Sequence, residues 1–313
     1  MMSIMNKRIW LFGAGKIGKQ YVDECGTECC VGFVDNDQKK SGETVKGLRV
    51  HKYSEFKDKF NQKEEVVCIT CANTDDIYLQ LSEDGFAECV RAYLPGKGII
   101  SIEDLWGQCI HSQLGEEVGL MHYFGGKGFL DEGYKGFYLD IGAYHPFRGN
   151  NTWWAYKKGW RGINIDANEE SMRLFRAVRP DDINICCGVS DRDEELEYYM
   201  FHGAAGMNTF LSERKDVREV ENVKLIKMRN INDILEEYNV ERIDFVDIDV
   251  EGIEEKIVNT FNWKKYSPKC VLIELLGQMS IEDILQTPIH KKMKAEGYFL
   301  KSYYTVTALY IRK

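Results

Sequence analysis

A chain of 313 residues has room for two domains of ordinary size. Its 44% hydrophobic and 29% charged residues suit a globular protein and exclude a disordered or membrane-embedded one. The formal net charge of −9 is spread along the chain without a basic tail, which argues against nucleic acid as a partner and leaves a small-molecule or glycan substrate as the default. No apolar run approaches the ~20 residues of a bilayer span, so no membrane span is expected. The start, MMSIMNKRIW, lacks the pattern of a signal peptide. Ten cysteines fall mostly inside apolar runs and read as buried, reduced thiols of a cytoplasmic protein. Cys68 and Cys71 have metal or redox spacing, but in the strand-like VVCITC they point to opposite faces. Nothing in the sequence sets the oligomeric state.

In chain order, IWLF is a short strand, followed by the glycine loop GAGKIG and the helical KQYVDEC. CCVGFVD is a second strand ending in an acid; a polar stretch, the strand VVCIT and the helix DDIYLQLSEDG follow. This order implies a parallel sheet of four strands at most. Residues 1–110 are therefore expected to form a Rossmann-like nucleotide- or sugar-nucleotide-binding domain, with 111–135 as a connection. A second α/β unit, 136–313, opens at GFYLDIGAY, with strands expected at 162–166, 183–189, 243–249 and 269–275. Helices are expected near 152–158, 169–178, 230–239 and 253–261. ELEYYMF and VKLIKM flank a long polar loop, and GYFLKSYY with TALYIRK reads as a closing hairpin.

The first loop is a complete G-x-G-x-x-G. Gly13 permits the turn, Gly15 lets backbone approach a pyrophosphate, and Gly18 packs helix on strand. Asp35, 22 residues after Gly13, ends the next strand where a ribose hydroxyl would be held. The second loop, Asp140-Ile-Gly142-Ala143-Tyr144, has one glycine where a pyrophosphate binder wants three. That suits a ligand needing close backbone approach without a phosphate cradle, such as the methionine moiety of S-adenosylmethionine. Asp166, followed by Ala167 and 24 residues after Gly142, ends the next strand and is positioned to accept both ribose hydroxyls. A third cluster runs from Asp244 through Asp247, Asp249 and Glu251 to Gly252. On a strand, 247, 249 and 251 share one face, and three carboxylates there repel one another unless something positive or protonated lies among them.

DIGAYHPFRGNNTWWAYKKGWRGINIDAN, RPDDINICCGVSD, the NTF at 208–210 and IDFVDIDVEGIEEKI together resemble the FkbM-type methyltransferases over roughly 120–313. The resemblance implies a class I methyltransferase fold, with a seven-stranded sheet whose last strand is antiparallel, in an α/β protein of two Rossmann-like domains. It implies S-adenosylmethionine as cofactor and O-methylation of a sugar or polyketide-like hydroxyl. By resemblance Gly142 and Asp166 are cofactor residues, Val189-Ser190-Asp191 lies against the adenine, and Asp249 with Glu251 matches D-V-E-G. Asp140, Ala143 and Ala167 complete the expected cofactor set. Position 247 departs from the family in carrying Asp where relatives often have Lys or Ser. GAGKIG and GFVDND resemble the small Rossmann-like domains of sugar-modifying and polysaccharide-assembly proteins.

Methyl transfer to an alcohol needs a base. His145, directly after the cofactor loop, is one candidate, and Asp249 and Glu251 are the others. Metal-free chemistry is favoured, with Mg²⁺ held by Asp247, Asp249, Glu251 and Glu274 as the alternative. Residues 202–222 form a candidate lid with Asn208 and Thr209 turned inward toward the acceptor. The rival readings are a nucleotide-sugar or nicotinamide-binding oxidoreductase or epimerase, and a non-catalytic nucleotide-binding scaffold. Against the first, residues 1–110 make a short domain, expected to hold four strands at most.

Overall fold

The structure, a computed structural model, describes residues 7–102, 110–128, 133–201, 205–214, 219–277 and 279–313. The chain divides into two units, 1–108 and 109–313. Each is an α/β layer structure around its own sheet.

In the first unit the strands are β1 (Arg8–Phe12), β2 (Cys30–Val34), β3 (Thr44–Val45), β4 (Leu48–His51), β5 (Glu65–Ile69), β6 (Val90–Leu94) and β7 (Gly98–Ser101). Helices α1 (Lys16–Cys25), α2 (Tyr53–Lys59) and α3 (Thr74–Glu83) connect them. The sheet order is β3-β4-β2-β1-β5-β6-β7. Strands β4, β2, β1, β5 and β6 run parallel, while β3 and β7 pair antiparallel at the two edges. The expectation of four strands at most is corrected to seven. The additional strands are short, two to four residues, and β3 and β4 lie in or beside the polar stretch after Val34, where no alternating apolar pattern marks them. The chain leaves β1 toward β2 and returns past it to β5, so the glycine loop after β1 lies at a topological switch point.

The second unit holds β8 (Phe137–Ile141), β9 (Arg161–Asp166), β10 (Ile183–Cys186), β14 (Phe245–Ile248), β15 (Cys270–Glu274), β16 (Tyr298–Tyr304) and β17 (Thr307–Arg312). Their order is β10-β9-β8-β14-β15-β17-β16. The first five are parallel and β17 runs antiparallel to both its neighbours, as the class I methyltransferase fold requires. A separate three-stranded sheet has the order β11-β13-β12, from β11 (Gly188–Ser190), β12 (Glu194–Phe201) and β13 (Val220–Asn230). The single strand expected at 183–189 is thus two. The break comes at Cys187, whose N–H bonds the Asp166 carbonyl at 3.1 Å, and Gly188 enters the second sheet against Met228, whose Sδ a Cβ would meet at 2.2 Å.

Period-two alternation divides the second core into two faces. Leu139, Ile141, Val246, Ile248, Val271 and Ile273 face one way, onto the helices α5 (Ile231–Glu237) and α6 (Glu254–Thr260). Tyr138, Phe245, Cys270 and Leu272 face the other way, against Trp154, Trp160, Leu120 and Phe124. The last two belong to α4 (Glu116–Gly125). The stretch expected to be a mere connection therefore carries a helix packed into the second unit; its apolar residues are spread around the helix rather than along one face, which hid it. Asp140, Asp247 and Glu274 fall on this second face, at the carboxyl ends of β8, β14 and β15, with Asp140 and Asp247 as register partners.

The cysteines are mixed in exposure. Cys68 and Cys89 are buried, but Cys25, Cys29 and Cys186 are exposed, and all nine described are free thiols. Among the described residues no helix is long and apolar enough to cross a membrane.

Candidate active site

A cavity of about 520 Å³ opens at the carboxyl edge of the second sheet. Six carboxylates line it: Asp140, Asp166, Asp247, Asp249, Glu251 and Glu274. Arg148 is the one basic residue among the described lining side chains. Carboxylates crowded in this way favour a proton or another positive group among them.

Asp166 ends β9 and accepts the Tyr144 N–H on one oxygen and the Asn168 N–H on the other, both at 2.7 Å. Each oxygen keeps a lone pair for a further donor. Burial pushes its pKa up to about 6, against the pull of those two N–H groups, and the Asp140 charge adds to the rise. Ala143 and Ala167 line the same cavity.

Gly142 has φ +86°, and a Cβ there would lie 1.5 Å from the Asp249 carbonyl oxygen. The sequence reading assigned this glycine to approach by a ligand. Its steric reason is instead the protein's own backbone: the loop after β14 presses onto the loop after β8, and the Asp249 N–H bonds the Ile141 carbonyl at 2.9 Å.

Asp140 is buried beneath the cavity and accepts Thr152 Oγ1–H at 2.7 Å and Asn150 Nδ2–H at 3.1 Å. Burial raises its pKa, with Thr152, Arg179 and Asn150 opposing. Arg179 is fully buried and donates to Thr152 Oγ1 at 2.8 Å, Asn150 Oδ1 at 2.6 Å, Asn164 Oδ1 at 3.3 Å and the Pro146 carbonyl. One guanidinium thus ties the 146–152 loop to β9. Asp182, bonded to Tyr138 and Asn164, shares the same buried layer. None of Arg179, Asn150 or Thr152 stood out individually in the sequence; the signal was the cluster of polar residues in GNNT, inside an otherwise apolar region.

The strand β14 stops at Ile248, so 247, 249 and 251 do not share a strand face as expected. Glu251 takes φ +55° in the turn that follows. That turn is held at two points: Thr209 Oγ1–H bonds the Glu251 carbonyl at 2.6 Å, and the buried Glu254 carboxylate accepts the N–H groups of Val250 at 3.2 Å and Gly252 at 2.9 Å. Asp249, Glu251 and Glu274 still converge, each offering an oxygen within 4.8 Å of the others. Asp247 stays apart from that group. Its pKa is driven well up by burial and then by the Asp140 charge. Asp249 is driven up by burial, then by the charges of Glu274, Glu251 and Asp247.

His145 does not line the cavity. Its Nδ1 accepts the Arg148 N–H at 3.2 Å and the Phe147 N–H at 3.4 Å, and its ring meets Phe147 edge-on at 4.3 Å. It shapes its own loop, which withdraws it from the candidate bases. Ser190 is buried away from the cavity, its hydroxyl directed to Asp191 Oδ1 at 3.0 Å and Glu194 Oε1 at 3.2 Å; of the expected adenine residues Val189 lines the cavity. Of the expected lid, 202–204 and 215–218 lie outside the described residues. Gly206, Met207, Asn208 and Phe210 line the cavity, while Thr209 is buried and bridges Tyr199.

In the first unit, Gly18 is required for packing, since a Cβ there would meet the Gly13 carbonyl at 2.1 Å, whereas Gly15 faces open space. Four lysines, 16, 19, 40 and 46, line a groove of about 610 Å³ beside that loop. Asp35 does not line the groove. It accepts the Ala14 N–H, the Asp37 N–H and Lys40 Nζ–H, each at 2.9 Å, and Lys40 with those N–H groups outweighs burial to hold its pKa down.

Comparison with known proteins gives three findings. The family model of the methyltransferase FkbM domain matches residues 140–300. The structure of methyltransferase FkbM from Methylobacillus flagellatus KT is similar over 98% of this chain and 90% of its own, at 13% identity and a TM-score of 0.30. UDP-D-quinovosamine 4-dehydrogenase from Vibrio fischeri is similar over 32% of this chain and 98% of its own, at 18% identity and a TM-score of 0.27. No curated protein matches the chain.

Proposed function

Since the chain belongs to the FkbM methyltransferase family, we propose that its second unit transfers a methyl group from S-adenosylmethionine to a hydroxyl of a sugar, glycan or related metabolite. The observation that carries this reading is Asp166, a carboxylate at the end of β9 with a lone pair spare on each oxygen, facing a cavity of six carboxylates. Two ribose hydroxyls satisfy the first feature. The sulfonium and ammonium of the cofactor suit the second.

The acceptor oxygen must lie in line with the methyl group and sulfur, and its proton must leave as the new bond forms. Asp249 and Glu251 are the proposed proton acceptors, because they line the cavity where His145 does not. Asn208 and the chain around it close one side of the acceptor space. The lysine-rich groove of the first unit supports the reading of that unit as a site for a nucleotide-linked anion.

Thermal denaturation tests the assignment against its rivals. A saturating product analogue, S-adenosylhomocysteine, stabilises the second unit by about 2.7 kcal/mol at a hundredfold excess over Kd. NAD and UDP-sugars leave that transition where it is. Stabilisation of the second unit by NAD alone would replace the assignment with the oxidoreductase reading.

The pH dependence follows from Asp166. Its proton must leave before both oxygens can accept ribose hydroxyls, and its pKa in the free protein is raised to about 6. Binding is therefore at full strength above that pH and weakens as pH falls through it. S-adenosylhomocysteine should bind roughly tenfold less tightly at pH 5 than at pH 8. A flat calorimetric profile between those values would remove Asp166 from the ribose.

A further inference from the structure

We infer that Asp249, Glu251 and Glu274 hold a hard divalent cation of the Mg²⁺ or Ca²⁺ class beside the acceptor space. The three come from two separate elements, Asp249 and Glu251 from the turn after β14 and Glu274 from the end of β15, yet each presents an oxygen within 4.8 Å of the other two. Oxygens bound to one such cation at about 2.0–2.6 Å lie no more than about 5.2 Å apart, so the group is already the size of a coordination shell. The turn carrying Asp249 and Glu251 is fixed by Thr209 and Glu254, and Asp249 is hydrogen-bonded to Glu274.

A second observation separates a cation site from a merely crowded set of acids. Asn151 and Asp247 line the same cavity, both are more than nine-tenths buried, and neither Oδ1 has a hydrogen-bond partner among the described residues. Carboxylates can relieve crowding by taking up protons. An amide oxygen cannot, and a buried one without a donor costs about 1–3 kcal/mol. A cation with its bound waters meets both needs: positive charge for the carboxylates and donors for the two orphaned oxygens. With no histidine or cysteine among the three ligands, the donor set favours a hard ion over zinc or copper. The balance thus moves from the metal-free chemistry that the sequence favoured, and Asp247 moves from ligand to the surround.

The site itself stands apart from the methyl-transfer reading; only the role given to the ion rests on it. Bound there, the ion would supply Lewis acidity to a hydroxyl oxygen next to the methyl donor, in place of the direct proton uptake given above to Asp249 and Glu251.

The test is direct titration of the full chain with Mn²⁺, a paramagnetic ion of the same oxygen preference, followed by loss of its free resonance signal. It is run with and without S-adenosylhomocysteine. The inference predicts one saturable site, displaced by Mg²⁺ or Ca²⁺. It also predicts affinity reduced roughly tenfold or more in the double variant Asp249→Asn, Glu274→Gln, with Asp35→Asn in the first unit unchanged. If the double variant does not fold, Glu274→Gln alone is read in the same way. No saturable Mn²⁺ binding in either condition, or equal binding by the folded variant, overturns the cation site. The analogue binding without Mn²⁺ sinks the cation and spares the proposed activity. Mn²⁺ binding without the analogue does the reverse.

Discussion

Gly142→Ala is expected to destabilise the second unit by about 2–4 kcal/mol and to abolish binding of S-adenosylhomocysteine. Two effects add. The residue sits at φ +86°, where a side chain is strained, and its Cβ would occupy a point 1.5 Å from the Asp249 carbonyl oxygen. No rotamer relieves that clash, because the atom met is backbone. The loops after β8 and β14 must separate, breaking the bond from the Asp249 N–H to the Ile141 carbonyl and carrying Asp249 and Glu251 away from the cavity. Gly159→Ala is the control: φ is +85° there, but the space around it is open, so only the strain of about 1–2 kcal/mol remains. Urea unfolding of the second unit, with calorimetry on the folded variants, measures both effects. Similar losses for the two variants would show that the contact with Asp249 contributes nothing.

Arg179→Met is expected to have the largest effect on stability, about 3–5 kcal/mol. The guanidinium is fully buried and is the positive charge among Asp140 and Asp182. Removing it strips the 146–152 loop of its tie to β9 and leaves two buried carboxyls with less compensation. The sign of the pH dependence follows from their titration. Burial already raises both pKa values, and Arg179 works to lower them, so in the variant they rise further. Groups raised in the folded state stabilise it below their unfolded pKa of about 4 and lose that contribution as pH rises through the folded value. The deficit of Arg179→Met should therefore be larger at pH 8 than at pH 5. A deficit independent of pH would assign Arg179 a packing role alone.

Much of the second unit could be read from sequence because its information is local. The strands β8, β9, β14 and β15 are short apolar runs, and acids at their ends fall at the carboxyl edge of any parallel sheet, which is why Asp140 and Asp166 were found. The hairpin β16–β17 showed itself by alternation. What could not be read is set by register and by loop conformation. Asp140, Asp247 and Glu274 share a face because three separated strands align, a relation that no spacing along the chain encodes. Glu251 reaches Asp249 through a left-handed turn rather than along a strand. His145 follows the cofactor loop in sequence, yet its ring nitrogen is taken by the backbone two and three residues later. Gly142 stood out as a close-approach position, but the backbone that meets it, the Asp249 carbonyl, comes from a loop far along the chain. In the first unit, β3 and β4 are too short and polar to leave a periodic trace.

If the cavity at the carboxyl edge of the second sheet takes S-adenosylmethionine through Asp166, affinity for the cofactor must fall with that carboxylate. Calorimetric titration of S-adenosylhomocysteine into the wild-type chain and Asp166→Ala at pH 8 tests it most directly. One site is expected in the wild type and a loss of about 2–4 kcal/mol in the variant, for two hydrogen bonds to a charged acceptor. That is a roughly thirtyfold to thousandfold weaker Kd. Equal affinity in a folded Asp166→Ala variant would contradict it.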